Sequence, residues 1–233
     1  MIGIIGAMDV EVQILLDNMK NAEKITLHGR DFYKGEINGK NVVVAKCGIG
    51  KVVAAVCTQT IVDLFKADCV INTGIAGGIY EGLKIGDIVV STKAVQHDFN
   101  VMEFGYARGY MCTGGDNSRP TEYEADENLR KNVVECAKNT LTNNVHEGVI
   151  ATGDLFVADA LTKRKIKQKF NAFATEMEGG AIAQTCVLNE TKFVIIRAIS
   201  DLADGSASEN YEKFEKSAAE NCAKLVISCL EKL

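Results

Sequence analysis

Several carboxylates stand just past apolar segments of the kind that form buried strands, at points where a chain leaves a sheet. Glu11 follows Ile2–Ile5, Glu176-Met177-Glu178 follows Ala172–Thr175, and Ser200-Asp201 follows the apolar run that ends at Ala198. In an open α/β sheet the carboxyl ends of neighbouring strands line one crevice, so these acids can converge although they are far apart in sequence. Carboxylates gathered in one cleft suit acid–base work on a polar substrate without phosphate: one protonates a leaving group while another takes a proton from water. Arg197, between Ile196 and Ala198, must meet an anion or water, and these acids are its candidates. Local sequence alone favours plainer roles. Asp9 and Asp201 read as helix caps, and Glu178 reads as an exposed first-turn residue favoured by the helix dipole. His28, His97 and His146 lack metal-ligand spacing and read as non-catalytic, so no metal site is expected.

The elements that must position these groups alternate. A buried strand at Ile2–Ile5 runs through Gly6-Ala7-Met8 into a helix carrying Val12, Leu15, Leu16 and Met19 at helical spacing, with Asp9 as its expected N-cap. Strands at 31–37 and 41–46 flank Asn38-Gly39, a hairpin signal that makes the sheet mixed. Gly48-Ile49-Gly50 opens a helix to Phe65; a strand at 69–73, a glycine-rich turn at 74–78 and a strand at 87–91 follow. Helices at 126–140, 159–170 and 178–188 then alternate with strands at 148–152, 172–175 and 192–198. The closing helix carries an apolar stripe of Tyr211, Phe214, Ala218, Cys222, Leu225 and Cys229. The pattern predicts one α/β domain over residues 1–233, a layer sandwich with a mixed sheet. Residues 100–125 form the one long irregular stretch, a length typical of binding loops.

Composition excludes several functions. The chain has 233 residues, 47% hydrophobic and 24% charged, with a net charge of −5, a balance that repels a phosphate backbone. Its one basic cluster, Lys163 to Lys169, lies over an apolar face of Leu161, Ile166 and Phe170 and reads as a solvated helix face. No apolar run approaches membrane-spanning length, and Met1–Gly6 lacks the basic start of a leader. Eight dispersed cysteines without a C-x-x-C pair read as reduced small hydrophobes, and a cytoplasmic protein is expected. Gly50-Lys51 lacks the rest of a P-loop, and no G-x-G-x-x-G occurs.

The segments Gly3-Ile4-Ile5-Gly6-Ala7-Met8 with Glu11, Gly48-Ile49-Gly50-Lys51-Val52, Asn72-Thr73-Gly74 with Ala76-Gly77-Gly78, Thr152-Gly153-Asp154 with Phe156, Glu176-Met177-Glu178 and Arg197-Ala198-Ile199-Ser200-Asp201 occur in one order. In that order and spacing the chain resembles, over nearly its whole length, the bacterial 5′-methylthioadenosine/S-adenosylhomocysteine nucleosidases of the purine nucleoside phosphorylase superfamily. The resemblance implies a three-layer α/β fold with a mixed, twisted sheet flanked by helices, and hydrolysis of the N-glycosidic bond to adenine and a 5-thioribose sugar, a step of methionine salvage, without metal or organic cofactor. It implies that Asp201 protonates adenine N7, that Glu11 activates the water, that Arg197 organises both water and carboxylate, and that Glu178 grips the ribose hydroxyls. Phe156 would stack on adenine, the backbone of Val157 would read its edge, and Met177 would lie beneath the ribose. Gly77 and Ser200 are further substrate-binding positions. Met8, Ile49, Phe104, Tyr106 and Tyr211 would surround the 5′ substituent, with Val101, Phe104 and Tyr106 lent by the second subunit of a homodimer. This sequence departs from the family pattern at Ile75, where relatives carry serine, and at 109–123, where they have a shorter, proline-containing loop. A phosphate-dependent phosphorylase, a non-catalytic nucleoside-binding protein and a futalosine-type nucleosidase are the alternatives; a carboxylate at Glu11 disfavours the first, since it would repel phosphate.

Overall fold

The computed structural model describes residues 1–27 and 29–232. His28 lies outside the described residues. The chain opens with β1 (Ile2–Gly6), α1 (Asp9–Asp17), β2 (Lys20–Leu27), β3 (Arg30–Ile37), β4 (Lys40–Lys46) and α2 (Lys51–Phe65). It continues with β5 (Cys69–Gly78), β6 (Ile88–Gln96), β7 (Tyr123–Glu124), α3 (Glu127–Thr140) and β8 (Val145–Thr152). The last third comprises α4 (Ala160–Phe170), β9 (Ala172–Glu176), α5 (Gly179–Leu188), β10 (Lys192–Asp201) and α6 (Ala207–Leu230).

All the strands belong to one mixed sheet flanked by helices. It is not the open sheet expected: β5, β10, β6, β8 and β9 pair in a ring, because β10 lies parallel to β5 as well as antiparallel to β6. From β5 the sheet runs outward through β1, β4, β3 and the edge strand β2. Ring closure brings the carboxyl ends of β9 and β10 beside Gly77, at the carboxyl end of β5.

The strand–helix boundaries follow local chemistry with four differences. At Asn38-Gly39 the φ angles of 49° and 75° are those of the expected hairpin turn between β3 and β4. Strand β2 was not expected, because its side chains are nearly all exposed and no alternating buried face marks it. The glycine-rich 74–78 segment is not a turn but the second half of β5, and all ten residues of that strand are buried. Asp9 does not cap α1; Met8 is the cap residue, and Asp9 pairs with Lys46. Within 100–125 the chain forms a short 3₁₀ turn at Met102–Phe104 and strand β7.

Side chains alternate across β5, as a sheet covered on both faces requires. Ile71 and Ile75 join Ala218, Cys222, Leu225, Val226 and Cys229 of α6 on one face. Val70 and Ala76 join α2 and α5 through Ala54, Cys57, Ile61, Ile182 and Cys186 on the other. Each buried aliphatic side chain contributes about 1.5–3 kcal/mol, so the site rests on a stiff double-sided core. Seven of the eight cysteines are buried within it and Cys112 is exposed. On α4, Ile166 and Phe170 are buried, but Leu161 is exposed and lies outside the expected apolar face.

Candidate active site

The sequence-predicted acids meet in one cavity of about 400 Å³. Glu11, Glu178 and Asp201 line it together with Met8, Ile49, Gly77, Phe156, Met177, Ser200 and Tyr211. Each arrives on a different element: Glu11 on the first turn of α1, Glu178 at the N-cap of α5, and Asp201 on the last residue of β10. Asp201 does not sit on a turn or cap a helix. The β10–β5 register slips between Ile199 and Asp201, an irregularity of the kind that re-aims a side chain, here over Gly77.

Glu11 is buried and held by backbone. Its Oε2 accepts the amides of Ala7 at 2.6 Å and Met8 at 3.1 Å, and its Oε1 accepts the amide of Ile75 at 3.0 Å. Burial raises its pKa despite the opposing pull of Arg197 and these three amides. A methyl group on Gly74 would overlap Oε1 and lie 3.0 Å from Cδ, so glycine here makes room for the carboxylate. Asp201 shows the same relation: a methyl on Gly77 would fall 2.9 Å from its Oδ1. Asp201 accepts the Ser200 hydroxyl at 2.9 Å and the Ala203 amide at 2.8 Å. Burial raises its pKa as well, the direction a general acid needs.

Glu178 is not the exposed first-turn residue that local sequence favours; it is buried, and its Oε1 accepts the amide of Gly50 at 2.8 Å. Burial, reinforced by the charge of Glu176, pushes its carboxyl up to about 8. Arg197 lies beneath the cavity, 2% exposed, and its Nη2 donates to Glu176 Oε2 at 2.5 Å and to Asn72 Oδ1 at 2.6 Å. Its strong partner is thus Glu176 and not Glu11, which it reaches only through space across Gly74. Glu176 in turn accepts the amides of Glu178 at 3.1 Å and Gly179 at 2.7 Å and the hydroxyl of Thr152. The guanidinium therefore organises the strand end that delivers Glu178.

Other predicted residues sit differently. Tyr211 donates its hydroxyl to Met8 Sδ at 3.2 Å and meets Phe156 edge-to-face at 5.7 Å, so these three form one wall. Val157 is not part of the cavity lining; its side chain packs in a core cluster with Ile79, Ile166 and Ala203. Val101, Phe104 and Tyr106 also stand outside the lining that this chain forms by itself, and Phe104 is 78% exposed. Sequence reasoning missed Thr175, Ser208 and Glu212, which line the cavity; Ile75, the departure from the family pattern, lines it too. The helical spacing of Ser208, Tyr211 and Glu212 was legible, but nothing local said that this face meets a cavity. Of the histidines, His97 is buried and His146 lies 3.3 Å from Asp87.

Among the described residues, all charged groups lining the cavity are acidic: Glu11, Glu176, Glu178, Asp201 and Glu212. The arrangement offers three buried carboxyls, one of them held by three backbone amides, in a largely apolar pocket. It can assist departure of a weakly basic leaving group while activating water.

A fold of this kind around such a site defines a class. A family model of the phosphorylase superfamily matches residues 1–231, and the chain belongs to that superfamily. A 5′-methylthioadenosine/S-adenosylhomocysteine nucleosidase of Geobacillus sp. is 41% identical over 233 residues, covering 100% of this chain and 98% of the relative. The Neisseria meningitidis enzyme of the same name, solved with methylthio-immucillin-A, is 42% identical with a TM-score of 0.93, covering 100% of this chain and 99% of that one. The futalosine hydrolase of Helicobacter pylori also superposes, at 33% identity and a TM-score of 0.93, covering 100% of this chain and 97% of that one. Within the superfamily, the chain belongs to the 5′-methylthioadenosine/S-adenosylhomocysteine nucleosidase family.

Proposed function

We propose that this chain, acting as one domain, hydrolyses the N-glycosidic bond of 5′-methylthioadenosine and S-adenosylhomocysteine, releasing adenine and the 5-thioribose sugar. The observation that carries this reading is Glu11: a buried carboxylate fixed by three backbone amides on the wall of a cavity whose charged lining is wholly acidic. The Glu11 carboxylate repels a phosphate dianion and suits a neutral water, which it deprotonates as the water attacks the anomeric carbon. Asp201, protonated in its buried setting, donates to adenine N7 and makes the base a neutral leaving group. Glu178 binds the ribose hydroxyls, Met177 packs beneath the sugar, and Phe156 stacks on the purine with Gly77, Ser200 and the backbone of Val157 around it. Acid and base on opposite faces of the sugar give the inverting pattern of glycoside hydrolysis.

Met8, Ile49 and Tyr211 enclose the 5′ substituent. Val101, Phe104 and Tyr106 complete that pocket from a second copy of the chain in a homodimer. The exposure of Ile49 just before α2 and of Val52 and Val56 on it, together with Met102 and Phe104, supports an apolar surface that a partner covers. Among the described residues no helix is long and apolar enough to cross a membrane. The reading places the enzyme in the cytoplasm, with no nucleic-acid partner.

The test is adenine release from both nucleosides in phosphate-free buffer. Release without phosphate supports hydrolysis; a strict phosphate requirement overturns it.

A further inference from the structure

One face of α6 enters the cavity, and of its residues only Tyr211 has a part in the reading above. Ser208, Tyr211 and Glu212 stand at positions i, i+3 and i+4, so they share that face. The five acids of the cavity are not equivalent. Glu11, Glu176, Glu178 and Asp201 each accept at least one backbone amide, and all four are buried. Glu212 is solvent-exposed, and among the described residues it has neither an ion-pair nor a hydrogen-bond partner. It sits one residue beyond Tyr211, on the wall proposed for the 5′ substituent.

From this we propose that Glu212 is a specificity-determining residue that binds a cationic group on the 5′ substituent, and so favours S-adenosylhomocysteine over methylthioadenosine. This rests on the hydrolytic reading. The two nucleosides are alike from adenine to the sulfur and differ in what the sulfur carries: a methyl group in one, an amino acid with an ammonium and a carboxylate in the other. An unpaired carboxylate at the mouth attracts the ammonium, and the Ser208 hydroxyl one helical turn away offers a hydrogen bond to the tail's carboxylate. Side chains at i and i+4 stand about 5–6 Å apart, a gap that an amino acid head group can bridge. Methylthioadenosine reaches neither group, so its turnover is indifferent to Glu212.

The experiment compares kcat/KM of the wild type, Glu212→Gln and Glu212→Lys on three nucleosides: methylthioadenosine, S-adenosylhomocysteine, and the homocysteine analogue lacking its α-amino group. The expected result is a fall of about fivefold for S-adenosylhomocysteine in Glu212→Gln, carried by KM, with methylthioadenosine changed less than about twofold. Glu212→Lys should reverse the preference, turning over the deaminated analogue better than the wild type does. Equal effects on all three nucleosides, or an unchanged ratio between them, would overturn the assignment while leaving the hydrolytic reading intact. Failure of the wild type to cleave either natural nucleoside would overturn both.

Discussion

The Glu11 carboxylate occupies the space that a side chain on Gly74 would need, and the two residues come from elements 63 positions apart in the chain. The glycine lies opposite Arg197 in the β5–β10 pairing, so backbone, carboxylate and buried cation meet at one point of the ring. Gly74→Ala should displace Glu11 from the Ala7 and Ile75 amides and lower kcat by about 10²-fold, the scale of losing a positioned base. Overpacking should destabilise the fold by about 1–3 kcal/mol, leaving it intact. Steady-state kinetics beside thermal unfolding check this; a folded variant with full kcat would show that the position of Glu11 is not critical.

Asp201→Asn and Glu11→Gln should each lower turnover by about 10²–10⁴-fold, while an uncleavable adenine nucleoside analogue still binds. Calorimetric titration of the variants separates the two effects. Loss of binding together with turnover would assign the residues to recognition and not to proton transfer. Glu178→Gln should weaken discrimination for the ribose hydroxyls, seen as a smaller preference for ribosides over 2′-deoxy substrates.

The pair formed by Arg197 and Glu176 is fully desolvated, and breaking one side leaves a buried charge. Arg197→Met should cost about 3–5 kcal/mol in chemical denaturation. Adding Glu176→Gln to it should recover part of that loss, because the orphaned carboxylate is then neutral. A double variant as unstable as the sum of the singles would contradict direct pairing.

Burial, with help from Glu176, holds Glu178 at about 8 in the folded chain, against 4.5 as its ordinary value. Between those values the folded state binds more protons than the unfolded one, so Glu178 lowers stability as pH rises and has no further effect above about 8. The free protein should therefore lose Tm from about pH 5 to pH 8, and Glu178→Gln should flatten that slope. Parallel curves for the two proteins would remove Glu178 as the cause.

Mixing subunits tests the proposed sharing of the 5′ pocket. Phe104→Asp and Glu11→Gln, each nearly inactive alone, should regain activity when unfolded and refolded together. One site of each mixed dimer then combines an intact Glu11 with an intact Phe104 from its partner. Activity equal to the sum of the separate variants would show that Phe104 serves its own subunit or none.

Much of this was legible in the sequence where one segment carries its own signal. Asn38-Gly39 announced its hairpin, the α6 stripe announced its buried face, and Glu11, Glu178 and Asp201 were picked out because each follows an apolar run. Local patterning could not show what ring closure does. Residues 74–78 read as a turn because glycines usually break strands, whereas here Gly74 and Gly77 make room for carboxylates from α1 and β10. The pairing of Arg197 with Glu176 depends on β9 and β10 both meeting β5. Strand β2 has no buried face to mark it, and the cavity-facing side of α6 looks like any exposed helix start.

The most direct test of the central claim is the origin of the new oxygen on the sugar. Methylthioadenosine turned over in ¹⁸O-water containing phosphate should yield free methylthioribose with the heavy isotope at its anomeric carbon, read by mass spectrometry, at a rate independent of phosphate. A sugar 1-phosphate product without label at that carbon would make phosphate the nucleophile and contradict the role given to Glu11.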